Sequence, residues 1–354
     1  MKRLPTIPIL LVALLAILLS GCGTALAATS WPGVTASEDT VYVAYANRVF
    51  AINGDNGTAK WQYPQENGRQ TFFAVPALSN GQVIVGDYSN VLVGLDASTG
   101  VEQWRFTGAR GRWIGSAVVV DDLILAPNGD YNLYALNTNG QEQWRFHTDQ
   151  ALWAQPLSDG ETVYQASMDH FLYAIDITNG QEIWSTDMGG ALVYSPVMDE
   201  QGVLYAATLL DEVLAIDPQG GEILWRQKYD TTLWTQPAVH EGALYFGDLS
   251  GNIYALSTAD GSQLWTKNLG EGVSVTGSPT IIEDGVVFAT EDNGLQAYSL
   301  DGSQVLWSFA VNGKLYNGPV IMDGRLVVGL TGADHLLVAL NQSGSEVWKF
   351  TLPE

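Results

Sequence analysis

From Trp31 to its C-terminal end, the chain alternates apolar stretches of about five residues with short polar turns. In one such unit, residues 243–247 and 252–256 are rich in Leu, Ile, Tyr and Phe, and the Asp-Leu-Ser-Gly sequence between them favours a turn. Strands at 237–242 and 263–267 complete the unit. No segment of this region has the period of an amphipathic helix. The pattern predicts an all-β protein made of units of four antiparallel strands.

Tryptophan recurs once in each unit, at intervals of 40 to 43 residues: Trp61, Trp104, Trp144, Trp184, Trp225, Trp265, Trp307 and Trp348. An alanine or glycine stands nine or ten residues before each, and a glycine lies between them. A flat indole can fill the wedge between two twisted sheets if the facing residue is small, and a nearby carbonyl can accept its N–H. Eight such units predict an eight-bladed β-propeller with four antiparallel strands per blade.

The tryptophan units carry the pattern Ala-x-Asp-x-x-Thr-Gly-x-x-x-Trp. Residues 94–104 match it with Gly in place of Ala, and residues 174–184 match it with Asn before the Gly. This pattern resembles the tryptophan-docking motif of the pyrroloquinoline quinone (PQQ)-like propeller family, and the resemblance covers residues 31–354. It implies the propeller fold and leaves the function open, because one fold hosts many functions. Each blade is expected to come from one continuous stretch, so that packing closes the ring without strand exchange.

The N-terminal residues resemble a bacterial lipoprotein signal. Lys2 and Arg3 precede an apolar run of about 13 residues, shorter than the ~20 that span a bilayer, and Leu19-Ser20-Gly21-Cys22 resembles a lipobox. We interpret residues 1–21 as a signal peptide, residues 22–30 as the lipidated Cys22 and a short tether, and residues 31–354 as the propeller. Cleavage near residues 25–27 by a general signal peptidase is the alternative. Cys22 is the only cysteine of the chain.

The exported part of the chain is strongly acidic. Removal of the leader leaves 13 basic against 38 acidic residues, a net charge of −25. Such a surface repels nucleic acid and anionic lipid headgroups, so nucleic-acid binding is excluded. The sequence predicts a monomeric propeller held by its lipid anchor at the periplasmic face of an outer membrane, or at the cell surface of an organism with a single membrane.

Aromatic and basic residues are predicted at one mouth of the central channel. The loops that lead from each docking tryptophan to the next innermost strand usually end at a proline, with Ser116 in the equivalent place. They carry aromatic residues two or three positions earlier: Phe73, Trp113, Trp153, Tyr194, Trp234 and Tyr316. They also carry Arg69, Arg110, Arg112, Lys228, Lys267 and Lys314. A positive, aromatic funnel suits an anionic cofactor, a carboxylate ligand or an extended peptide. Alternatively, the aromatics plug the channel and the bases are merely solvated.

No catalytic residue and no metal site is predicted. Carboxylates follow the second strand of most units, and turn preference explains them: Asp87, Asp130, Asp169, Asp211, Asp248 and Asp292. The four histidines are far apart, and residues 53–57 only faintly resemble a calcium loop. Nucleophile-elbow, phosphate-loop and dinucleotide motifs do not occur in the sequence.

Within the PQQ-like family, the lipobox, the eight tight repeats and the size are most similar to the BamB-type lipoproteins of the outer-membrane barrel-assembly machinery. This resemblance implies a scaffold that binds a barrel-assembly subunit, with no cofactor and no chemistry. A PQQ-dependent dehydrogenase is the alternative. It would need PQQ and a Ca²⁺ held by Glu, Asn and Asp, and units of 40 to 43 residues leave no room for the covering loops. A sensor or adhesion propeller for a small ligand also stays open.

Overall fold

Thirty-two β-strands follow one another along the chain in the computed structural model, which describes residues 30–66 and 68–353. They form eight four-stranded antiparallel sheets, each made of four consecutive strands. The predicted all-β, eight-bladed propeller is confirmed, and the described part of the chain contains no helix. The predicted signal peptide and Cys22 lie outside the described residues.

The first four blades contain these strands, from the innermost to the outermost in each blade: β1 (Gly33–Ser37), β2 (Thr40–Tyr45), β3 (Arg48–Asn53) and β4 (Ala59–Tyr63); β5 (Ala77–Ser79), β6 (Gln82–Gly86), β7 (Leu92–Asp96) and β8 (Glu102–Phe106); β9 (Val118–Val120), β10 (Leu123–Pro127), β11 (Asn132–Asn137) and β12 (Glu142–His147); β13 (Leu157–Ser158), β14 (Thr162–Ala166), β15 (Phe171–Asp176) and β16 (Glu182–Asp187).

The last four blades follow the same order: β17 (Val197–Met198), β18 (Leu204–Thr208), β19 (Glu212–Ile216) and β20 (Ile223–Lys228); β21 (Ala238–His240), β22 (Ala243–Gly247), β23 (Asn252–Ser257) and β24 (Gln263–Asn268); β25 (Val275–Ile282), β26 (Gly285–Thr290), β27 (Gly294–Ser299) and β28 (Val305–Phe309); β29 (Val320–Met322), β30 (Arg325–Gly329), β31 (Leu337–Asn341) and β32 (Glu346–Phe350).

The burial of each strand follows from its position in the blade. The second and third strands are covered on both faces by neighbouring blades, so their apolar runs are almost continuous, as in β18, where all five residues are buried. The outermost strands alternate instead, as in β16, where the half-buried Trp184 lies between the exposed Ile183 and Ser185. The core is therefore a set of clusters between the blades.

The docking tryptophans join each blade to the next. The Trp184 Nε1 donates to the carbonyl of Pro218 at 2.8 Å, and seven of the eight indoles make this bond to a carbonyl in the following blade. Trp104 is the exception, because its Nε1 donates to the Oε1 of Gln82 in its own blade at 3.2 Å. The hydrogen bonds fix the angle between adjacent sheets as well as their contact.

The two small residues of the motif have different roles. Ala174 is the cross-strand partner of Trp184 within the same blade, so the expectation that the small residue faces the indole from the opposite blade is wrong. The residue that meets the indole from the next blade is the motif glycine. A Cβ on Gly221 would lie 2.6 Å from the Cε3 of Trp184, closer than any side chain tolerates.

The first and last blades meet without strand exchange, as the sequence predicts, and apolar packing is one part of their contact. Val34 and Phe50 of blade 1 share a core cluster with Val327, Trp348 and Phe350 of blade 8. Since every blade consists of four consecutive strands, no strand is exchanged across this junction.

Candidate functional site

Two kinds of loop meet on one face of the propeller, which we call the mouth face. They are the inter-blade loops, which lead from an outermost strand to the next innermost strand, and the turns between the second and third strands. Short β-bridges connect them, as between Phe72 and Asp87 and between Leu233 and Asp248. The candidate aromatic and basic residues therefore share this face with the turn carboxylates.

The turn carboxylates mainly support the backbone. The Asp248 side chain is fully buried, its Oδ1 accepts the N–H groups of Ser250 and Asn252, and its Oδ2 accepts the hydroxyl of Tyr254. Asp87 is buried in the equivalent turn, and burial raises the pKa of its carboxyl despite the backbone N–H groups that it accepts. These contacts agree with a turn-forming role.

Two of the predicted aromatic residues are exposed at the mouth. Trp153 and Trp234 each have 38% of their surface accessible. Tyr194, from the loop between them, donates its hydroxyl to the carbonyl oxygen of Trp234 at 3.1 Å, and the two rings meet edge to face at 6.2 Å. Tyr316 is half-buried and donates its hydroxyl to Glu291 at 3.3 Å.

Trp113 lies in the core, contrary to its predicted place at the mouth. Its backbone N–H donates to the carbonyl of Asp87, as that of the buried Leu152 donates to Asn128 one blade later. Trp113 therefore occupies the leucine position of these loops, and Ala117, not Ser116, takes the place of the proline. The side chain is 1% exposed, and its Nε1 has no protein partner.

Phe73 is also buried, but for a different reason. The Trp31 ring packs edge-on against the Phe73 ring, with 5.0 Å between the ring centres, and the Tyr88 ring covers it with 4.2 Å between the centres. The guanidinium of Arg112 lies 4.8 Å from the centre of the Tyr88 ring. This side of the mouth thus presents a stack of aromatic rings in which Arg112 lies over Tyr88 and Trp31 is 38% exposed.

The basic residues do not form a uniformly positive funnel. Lys314 pairs with Glu291 at 2.7 Å and lies 3.7 Å from Asp292, while the Lys228 ammonium donates to the carbonyl of Leu210. Lys267 lies on β24, with its ammonium 6.0 Å from the Tyr298 ring. Three exposed arginines, Arg69, Arg110 and Arg112, stand on the loops between blades 1 and 3.

An open cavity of about 660 Å³ follows the central channel. The innermost strands of blades 3 to 6 with the loop ends before them, and the middle of β25, line it with valines, prolines and the polar residues Gln155, Ser195, Gln236 and Ser278. Its lining contains no aromatic and no charged residue, so the predicted aromatics do not plug this part of the channel.

The residues present do not fit PQQ with its calcium ion. No three His, Cys, Asp or Glu side chains within the described ranges are placed to hold a metal. The channel cavity offers no carboxylate for Ca²⁺ and no basic side chain for the carboxylates of the quinone. Over the same residues, there is no helix long and apolar enough to cross a membrane.

Comparison with known proteins places the chain in a family. The family model described as outer membrane protein assembly factor BamB matches residues 22–151, 130–212 and 210–314. The chain belongs to this family. A curated member, the outer membrane protein assembly factor BamB of Xanthomonas campestris pv. campestris, is 24% identical over 208 residues, which cover 41% of this chain and 51% of that protein. The chain thus spans about half the length of this BamB relative.

Solved structures share the fold. BamB from Moraxella catarrhalis superposes with a TM-score of 0.73 and 20% identity, over 87% of this chain and 93% of that one. A europium-containing methanol dehydrogenase superposes with a TM-score of 0.68 and 14% identity, over 85% of this chain and 84% of that one. At these identities both likenesses concern the propeller fold alone.

Proposed function

We propose that the protein is a non-catalytic, lipid-anchored scaffold that binds protein partners during the assembly of outer-membrane β-barrel proteins. The observation that carries the proposal is the exposure of Trp153 and Trp234 on the mouth face of a chain that belongs to the BamB family. Large aromatic side chains on a firm support are typical anchors of protein–protein interfaces.

The mouth loops are short and held by backbone hydrogen bonds. The Leu192 N–H donates to the carbonyl of Ser167 at 3.1 Å, and the Leu209 N–H donates to the carbonyl of Ala191 at 2.9 Å. A binding surface that is already ordered loses little conformational entropy when a partner docks. The loops can therefore hold the aromatic anchors without rearranging.

The entry of the chain into the propeller supports an orientation for the anchored protein. The buried Ser30 hydroxyl accepts the backbone N–H of Ala46 at 2.6 Å, in a turn of the mouth face. The eight residue-to-residue steps from Cys22 to Ser30 span at most about 28 Å. We propose that Cys22 is lipidated, that the protein stays at the periplasmic face of the outer membrane, and that the mouth face remains within this distance of the bilayer.

Affinity capture of the lipidated protein from its own outer membrane tests the proposal. We expect specific recovery of a barrel-assembly subunit with the wild type, and its loss when Trp153 and Trp234 are both changed to serine. Cys22→Ser should release a folded protein from the membrane. Recovery of no barrel-assembly subunit by the anchored wild type would contradict the assignment.

A PQQ-dependent dehydrogenase is the second candidate, and its support is the fold shared with the methanol dehydrogenase. Dye-linked dehydrogenase activity should be measured after addition of PQQ and Ca²⁺. Turnover that saturates with an alcohol or sugar would replace the scaffold by an enzyme. We propose that no cofactor is bound, because the channel cavity lacks charged side chains to hold one.

A further inference from the structure

Three consecutive inter-blade loops of the mouth face share one arrangement. At the junctions between blades 3 and 6, an exposed aspartate stands at the end of the outermost strand or within two residues after it, and an aromatic residue follows four to seven positions later. We call this set the acidic aromatic arc, and it consists of Asp149, Trp153, Asp187, Tyr194, Asp230 and Trp234. The arc borders the open, uncharged channel cavity, which is lined by Gln155, Ser195 and Gln236 from the same loops.

The loops between blades 1 and 3 have the opposite character. Arg69, Arg110 and Arg112 are exposed there, and the aromatic residues Phe73 and Trp113 are buried. The mouth face is thus divided into a basic side, where the exposed indole is that of Trp31 packed against Phe73, and an acidic side with the exposed indoles of Trp153 and Trp234. A ligand that contacts both Trp153 and Trp234 must meet the carboxylates of the same loops.

The three aspartates of the arc are not neutralised by the protein itself. Among the ion pairs of the described residues, none includes Asp149, Asp187 or Asp230, whereas Glu212 pairs with Arg226 and Glu291 with Lys314 nearby. Asp187 accepts the N–H of Gly189 at 2.8 Å, which leaves its charge in place. Lys228, the last residue of β20, donates to the Leu210 carbonyl.

We propose that the acidic aromatic arc binds a basic and apolar extended segment of a protein partner, with lysine or arginine side chains at the aspartates and apolar side chains on the indoles. This inference rests on the proposed scaffold function and names the chemistry of the segment that it takes. A cationic side chain is attracted electrostatically both by the carboxylates and by the faces of the indole rings. Anionic ligands and anionic lipid headgroups are repelled by the same arc.

Fluorescence anisotropy with two matched peptides tests the inference, using the full lipidated chain in neutral phosphatidylcholine nanodiscs. One labelled decapeptide alternates lysine with leucine and valine, and the other has glutamate at each lysine position. We expect the lysine peptide to bind, and the glutamate peptide to bind at least about tenfold more weakly. The preference should shrink at about 0.5 M salt, where screening is strong.

Three variants separate the contributions. The double variant Trp153→Ser, Trp234→Ser should weaken binding of the lysine peptide about tenfold. The double variant Asp149→Asn, Asp230→Asn should weaken it about threefold at low salt. The control, Arg110→Gln with Arg112→Gln, changes exposed charges on the basic side and should not weaken binding. Unchanged circular dichroism and urea midpoints establish that each variant is folded.

Equal binding of both peptides, binding of neither, or a larger loss in the arginine control than in the arc variants would overturn the inference. Capture of a barrel-assembly subunit together with any of these results would leave the scaffold function standing and this inference wrong. Selective binding of the lysine peptide without capture of that subunit would support this inference and contradict the scaffold function in barrel assembly.

Discussion

The indole nitrogen of Trp348, in the last blade, donates a 2.6 Å hydrogen bond to the carbonyl oxygen of Gly54, in the first blade. The bond is the same one that Trp184 makes to Pro218 between blades 4 and 5. The guanidinium of Arg325 donates to the same Gly54 carbonyl at 2.8 Å. The ring is therefore closed by the ordinary blade-to-blade contact, strengthened by one arginine.

Trp348→Ala should destabilise the protein by about 3–5 kcal/mol, because a buried indole leaves a cavity between the terminal blades. Trp348→Phe keeps most of the apolar contact and loses the N–H, so it should cost about 1–2 kcal/mol. Urea unfolding monitored by circular dichroism measures both. A loss below about 1 kcal/mol for the alanine variant would mean that other contacts close the ring.

Gly261→Ala should cost about 2–3 kcal/mol, since its φ is +70° and the added Cβ would lie 2.7 Å from the Cε3 of Trp225. Gly81 is the matched control. Its φ is +74°, but a Cβ there meets nothing within 4 Å, so Gly81→Ala should cost only the backbone strain of about 1 kcal/mol. Equal losses in thermal unfolding would show that contact with the indole is unimportant.

Trp113→Ala and Trp153→Ala should have opposite effects. Trp113 is 1% exposed, so its removal should cost about 3–5 kcal/mol, whereas removal of the exposed Trp153 should change stability by less than about 1 kcal/mol. Of these two variants, Trp153→Ala should remain folded and yet fail to capture the partner. A stable Trp113→Ala protein would contradict its place in the core.

Stability should fall between about pH 10 and pH 12. Burial, followed by the hydrogen bond to Asp159, raises the pKa of Tyr164 to about 12, and burial raises the pKa of Tyr229 to about 12. Unfolded tyrosine ionises near pH 10, so in this interval the unfolded chain releases protons that the folded chain keeps, and rising pH favours unfolding. Below about pH 9.5 the stabilisation that comes from keeping these tyrosines protonated is fully present.

Unfolding midpoints together with tyrosinate absorbance check the alkaline transition. Tyr164→Phe should make the decline less steep, because one of the groups with a raised pKa is gone. If all tyrosines ionise near pH 10 while circular dichroism remains native, these side chains are not protected by the fold.

The blade junctions could be predicted in detail, because the docking motif is local. Trp184, Ala174 and the intervening Gly180 lie within eleven residues, and their spacing alone identified the strands and the turn. The partner of each indole could not be found in this way. Gly180 belongs to the motif of Trp184 but packs against Trp144, because the glycine of one blade meets the indole of the previous one.

The candidate site was predicted less well. Trp113 and Trp153 occupy corresponding loops and have similar sequence surroundings. In the structure, however, Trp113 corresponds to Leu152, one residue before Trp153, so the Trp113 indole lies in the core and the Trp153 indole at the surface. The sequence also suggests that Lys314 carries an unpaired charge, although Glu291, 23 positions away, forms an ion pair with it. Both outcomes depend on which neighbouring turn each loop contacts.

The amino-acid sequence by itself determined the strands, the number of blades and the residues that join them, because these depend on short-range periodicity and turn chemistry. Tertiary structure alone decided which aromatic side chains are exposed, which charges are paired, and that the turn carboxylates share the mouth face with the inter-blade loops. The physical reason is that solvent exposure and electrostatic pairing are set by residues brought together from different blades, whose separation in sequence carries no signal.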